Sequence, residues 1–156
     1  MKNLDQYISE GDMEMAIKIV DYVGETRDRS YLPILLKYLE STNSKILRNS
    51  IAIALSDIGD NIAVKPLIRL LENPKTEGSR GTLLYALENL DYSPHIELLT
   101  NLLDNSSFEI SRHSFQLLAS IVERLSEEQK NRCRSIIKTK IDNSEDEFLT
   151  EALELF

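Results

Sequence analysis

The sequence predicts an all-α fold, an α-solenoid in which about five antiparallel helix pairs stack into a superhelix. Three observations predict it. Glycine (5) and proline (4) are scarce among 156 residues, whereas all-β chains need many turn residues. Apolar residues recur at three- and four-residue spacing, as on one face of a helix. Most tellingly, the sequence meets itself when shifted by 32 residues, and a fixed period of this length is the signature of a repeat architecture.

At that offset Leu35, Leu67 and Leu99 superpose, as do Leu39, Leu71 and Leu103. The next two positions hold Glu40, Glu72 and Asp104, then Ser41, Asn73 and Asn105. Further on come Arg48, Arg80 and Arg112; Ser50, Thr82 and Ser114; Ile51, Leu83 and Phe115; and Ile58, Leu90 and Val122. Each unit divides into two helices. The first is YLPILLKYLES, with counterparts AVKPLIRLLEN and HIELLTNLLDN. Pro66 and Pro94 fall near helix starts, where a missing N–H costs nothing. The second helix of the first full unit is ILRNSIAIALSDIG, with core positions Leu47, Ile51, Ala54, Leu55 and Ile58 and with Gly59 as its stop.

The flanks are worn copies. MEMAIKIVDYVG aligns with NSIAIALSDIG if three residues are inserted before Tyr31. IIKTKIDNSEDEFLTEALEL aligns with LLTNLLDNSSFEISRHSFQL, with Thr150 where the arginine would stand. Terminal repeats are expected to be atypical, since one of their faces meets water. The expectation is one domain over 1–156, with repeats at roughly 1–24, 31–60, 62–92, 94–124 and 127–156, the first and last degenerate.

ILRNSIAIALSDIGD resembles the second helix of HEAT repeats, in the short bacterial style also found in phycobilin lyases. The shared pattern is Arg, an Ala-rich helix, then Ile-Gly-Asp. It is clearest over 31–60 and looser over 62–123, where Leu90-Asp91 and Val122-Glu123 lack the glycine. The resemblance implies a scaffold, because most HEAT proteins are scaffolds and a few are enzymes. HEAT-like deoxyhypusine hydroxylases rely on His-Glu dipeptides, and none occurs here.

Composition narrows the function. The formal net charge is −8, and nucleic-acid binders are usually basic because phosphate neutralisation supplies their affinity. The lone Cys133 excludes an intrachain disulfide and fits a reducing compartment. MKNLDQYISEGDMEM lacks a signal peptide's apolar stretch, and no run approaches the ~20 apolar residues of a membrane span. A cytoplasmic location is expected. His95, His113 and Cys133 fall in different structural positions, so no metal site or catalytic dyad is expected. Cys133 shares core spacing with Ile137 and Ile141 and is expected to be buried. No cofactor is implied.

Stacked pairs of this kind present their second helices on a concave surface. With Ile51, Ala54 and Ile58 inward, positions 49, 53, 56 and 60 face outward. These are Asn49, Ile53, Ser56 and Asp60; Gly81, Tyr85, Glu88 and Tyr92; and His113, Leu117, Ser120 and Arg124. The N-terminal copy adds Glu14, Lys18, Asp21 and Glu25, while Asp57, Asn89 and Ile121 lie on the flank. Ile53, Tyr85 and Leu117 share one repeat position and would form an apolar ridge, the mark of a partner site. The candidate partner-binding residues are Asn49, Ile53, Tyr85, Glu88, Tyr92, His113 and Leu117. The three arginines invite an anion ladder, but bonds to the carbonyls of the preceding turn or to an acidic neighbour are the favoured reading. Lys130, Arg134 and Lys138 share one helix face; a nucleic-acid stripe is disfavoured against pairing with the acidic last helix.

These readings converge on a non-enzymatic protein-binding module whose protein partner, favoured to be basic by the acidity of the chain, sits on the concave face. The alternatives are an immunity protein that neutralises a basic toxin domain, or an accessory subunit of a lyase-type enzyme. The sequence leaves oligomeric state open.

Overall fold

The computed structural model describes residues 1–156. Ten α-helices and no strand are present. They form five consecutive pairs: α1 (Leu4–Ser9) with α2 (Met13–Thr26), α3 (Leu32–Ser41) with α4 (Lys45–Ile58), α5 (Val64–Glu72) with α6 (Gly81–Leu87), α7 (Ile96–Asn101) with α8 (Phe108–Ile121), and α9 (Glu127–Asp142) with α10 (Glu147–Leu153). The chain groups into two compact units, Met1–Asp91 and Tyr92–Phe156.

In residues 1–91 the period is written into the backbone. Short 3-10 turns at Arg29–Tyr31 and Asn61–Ala63 precede α3 and α5, and a third at Ser93–His95 precedes α7 in the other unit. Asp28 and Asp60 hold the first two turns by accepting from the N–H groups of Ser30 and Ile62, a local side-chain cap typical of aspartate. Leu35, Leu39, Leu67 and Leu71 lie fully inside. The second helices α2, α4 and α6 pack side by side, as do the first helices α3 and α5. Ser44 caps the start of α4 by accepting from the Leu47 N–H, and Gly59 closes it in the left-handed conformation at φ 75°.

The N-terminal copy needs no insertion. Asp12 caps α2 as Ser44 caps α4, thirty-two residues on, and α2 (Met13–Thr26) keeps the same offset from α4 (Lys45–Ile58). Gly24, which imitates a helix stop in sequence, is buried inside α2. A Cβ there would stand 3.0 Å from the Ala54 Cα and 3.2 Å from its Cβ, so glycine serves close helix approach. The actual stop is Arg27, left-handed at φ 54° in the place of Gly59 and the only non-glycine residue with positive φ.

Two of the arginines tie a second helix to the turn that precedes it. Arg48 is buried and donates to the Thr42 carbonyl at 3.1 Å; burial pulls its guanidinium below the ordinary value. Arg80 donates to the Asn73 carbonyl at 3.2 Å and to the Thr76 hydroxyl. Helix α6 is shorter than α4 at both ends: the counterpart of α4 would span 77–90, and α6 covers Gly81–Leu87, with Gly78 at φ 80° ahead of it. On the first-helix layer, several charges find partners. Glu40 accepts two bonds from Arg69 at 2.7 and 2.9 Å, Asp5 accepts from Tyr38 and Lys37, and Arg29 pairs with Asp60.

In residues 92–156, α7 packs on α9, and each of these first helices packs on its partner, α8 or α10. Leu99 and Leu103 are buried as their counterparts are. Arg112 departs from the other two arginines. It lies over the Phe148 ring at 3.8 Å and the Phe108 ring at 4.9 Å, with Glu151 at 3.9 Å. Cys133 is buried and accepts from the Thr100 hydroxyl at 3.3 Å; burial raises its thiol above the ordinary value. Of the basic residues of α9, Arg132 pairs with Glu97 and Lys140 with Asp104, while Lys130 and Arg134 lie near Glu127 at the start of the same helix and not against the acidic residues of the last helix. Arg134 also donates to the Phe156 carbonyl.

Two outcomes are expected. Arg27→Gly relieves left-handed strain and raises stability by roughly 0.5–1 kcal/mol, net of glycine's greater freedom when unfolded; urea unfolding checks it. The hydrogen bonds from Arg69 hold Glu40 below its ordinary value, and those from Tyr38 and Lys37 do the same for Asp5. Depressed carboxylates contribute stability that is fully present above the unfolded value and lost as pH falls through the folded one. The urea midpoint therefore drops as pH falls below about 4, and Glu40→Gln lowers the midpoint at neutral pH while flattening that acid limb.

Candidate protein-binding face

Within residues 1–91, α2, α4 and α6 lie side by side, and two hydrogen bonds pin their register. Ser50 donates to Asp21 at 2.6 Å across α2 and α4, and Asn89 donates to Ser56 at 3.1 Å beyond the end of α6. One repeat position therefore carries Asp21, Ile53 and Tyr85, and the position one turn on carries Glu25, Asp57 and Asn89. All six side chains are exposed. Ile53 retains 40% and Tyr85 49% of full exposure, large values for an isoleucine and a tyrosine on packed helices.

Between α2 and α4 this face sinks into an open pocket of about 230 Å³ lined by Asp21, Gly24, Glu25, Ser50, Ile53, Ala54 and Asp57. The close approach of Gly24 to Ala54 keeps its floor free of bulky side chains. No ion pair reaches Asp21, Glu25 or Asp57. Lys18 on the same helix is engaged by Glu14 at 2.6 Å. No group of three or more His, Cys, Asp or Glu side chains is placed to hold a metal ion. The arrangement can offer apolar area and negative charge together.

A profile for HEAT repeats matches residues 2–88, more than half of the chain. The chain belongs to the HEAT-repeat family. HEAT repeats commonly mediate protein–protein interaction. No curated protein matches the sequence. No helix of this HEAT-repeat protein is long and apolar enough to cross a membrane.

The expected site residues fall into two groups. Ile53, Tyr85 and Glu88 are exposed on the HEAT repeats of residues 1–91, and Asn49 is half-buried beside them. The expected ridge does not continue to Leu117, which is buried on α8, nor does Tyr92 face outward. The Tyr92 hydroxyl donates to the Leu117 carbonyl at 2.7 Å, satisfying a polar group that is enclosed with its ring. Tyr92 stands where Asp28 and Asp60 cap the earlier turns, and it uses that place to reach α8. His113, also on α8, is half-buried.

The apposition of Asp21 and Glu25 with Ile53 and Asp57 escapes a sequence reading that shifts the first copy by three residues. Its signal is the Asp12–Ser44 pair of helix caps at the common offset. Gly24→Val, placed against the Ala54 backbone, is expected to cost about 1–3 kcal/mol, read as a lower thermal midpoint.

Proposed function

We propose that this chain is a non-catalytic protein-binding module whose partner docks on the second-helix face of residues 1–91. One observation carries the reading. Ile53 and Tyr85 are exposed at one register position of adjacent HEAT helices, with Asp21, Glu25, Asp57 and Glu88 around them. An apolar centre within a charged rim is the composition of a protein interface, and tyrosine supplies contact area at low entropy cost. Membership of a family that commonly works by protein–protein interaction supports the reading. The acidity of the rim favours a basic partner.

The test is affinity capture of the partner from the native host, followed by calorimetry on the purified pair. Ile53→Ala with Tyr85→Ala is expected to weaken binding about thirtyfold, as truncation of two central apolar side chains does. The thermal midpoint should stay within about 1 °C, since neither side chain is in the core. Unchanged affinity sinks the proposal.

A further inference from the structure

We propose that the pocket between α2 and α4 takes one lysine or arginine side chain of the partner, its aliphatic stem lying on Ile53 and Ala54 and its cation held among Asp21, Glu25 and Asp57. This rests on the protein-binding reading above and names the chemistry that the face selects.

Four features of the pocket point to that occupant. Its size is the first: about 230 Å³ is below the range of cofactor and drug-sized ligand sites and suits a single long side chain. Its walls are the second. Ile53 and Ala54 give one apolar wall above a floor at Gly24, and carboxylates form the rim. Lysine and arginine match that division, since they bury a hydrocarbon stem while the charged head stays among polar groups.

The third feature is an imbalance of charge. On the first-helix layer of the same unit, Asp5, Glu40 and Asp60 each have a basic partner, in Lys37, Arg69 and Arg29. At the pocket, Asp21 is engaged only by the Ser50 hydroxyl, and no hydrogen bond or ion pair reaches Glu25 or Asp57. Like charges on adjacent helices repel, and a cation supplied from outside relieves that repulsion. The fourth feature excludes a simpler occupant. The carboxylates do not converge as metal ligands must, whereas a guanidinium or ammonium head presents several donors spread over a few ångströms. Tyr85, one helix further along, offers its exposed ring to the neighbouring residue of the bound segment.

The probe is the peptide acetyl-Ala-Arg-Leu-Ala-amide, titrated into the full chain and followed by backbone amide NMR shifts. Its control carries citrulline in place of arginine, which keeps the shape and removes the charge. Shifts centred on Gly24, Ile53, Ala54 and Asp57 are expected, with affinity about tenfold weaker for the citrulline peptide. Glu25→Gln with Asp57→Asn is expected to abolish that difference, while Glu72→Gln, outside the pocket, leaves it intact. Equal binding of both peptides, or no shift at these residues at millimolar peptide, overturns the proposal. The captured partner separates the two ideas. If its binding falls with Ile53→Ala and Tyr85→Ala but is indifferent to Glu25→Gln and Asp57→Asn, the interface stands and the basic-side-chain pocket does not.

Discussion

No helix pair in this chain has a core of its own. Leu35 and Leu39 of α3 and Leu67 and Leu71 of α5 are buried because the neighbouring pair lies against them, and on the second-helix side α4 is enclosed by α2 and α6. A repeat that cannot bury its apolar face alone gains stability only from adjacent copies. Everything else in residues 1–91 follows from keeping those neighbours in step. The aspartate-capped turns set where each first helix starts. Arg48 and Arg80 tie each second helix to the turn before it. Gly24 lets α2 approach α4 until backbone meets backbone.

That dependence also explains the binding face. Close packing of α2 on α4 consumes the inward faces and leaves the outer positions at fixed spacing. Side chains there carry no obligation to the core, so their composition is free to answer to something else. Ile53 and Tyr85 stay exposed although the fold gains nothing from exposing them. No ion pair reaches Asp21, Glu25 or Asp57 beside Ile53, whereas Asp5, Glu40 and Asp60 each have one.

The period, the helix pairs, the buried leucines, the stop at Gly59 and the tethering arginines were legible in sequence because each rests on short-range chemistry that recurs. The misread parts have local causes too. Gly24 resembles a helix stop, and the true stop is an arginine in a conformation that usually selects glycine. Nothing in that arginine's side chain announces it. The shortening of α6 at both ends is a local event that repeat arithmetic does not announce. Exposure at the 53/85/117 position could not be read from register alone, because Leu117 is buried while its two counterparts are exposed. The face was therefore half legible: Ile53 and Tyr85 by position, the apposition of Asp21, Glu25 and Asp57 only once the caps of α2 and α4 were aligned.

The capped turns have one more consequence. Because the turns at Arg29–Tyr31 and Asn61–Ala63 carry the same aspartate at the same spacing, the stretch from one to the next is one full period of the backbone. Its leading Arg29 pairs with the Asp60 that caps the next turn, so one ion pair joins successive capped turns. The next turn breaks the series, since Tyr92 holds that place and is committed to α8.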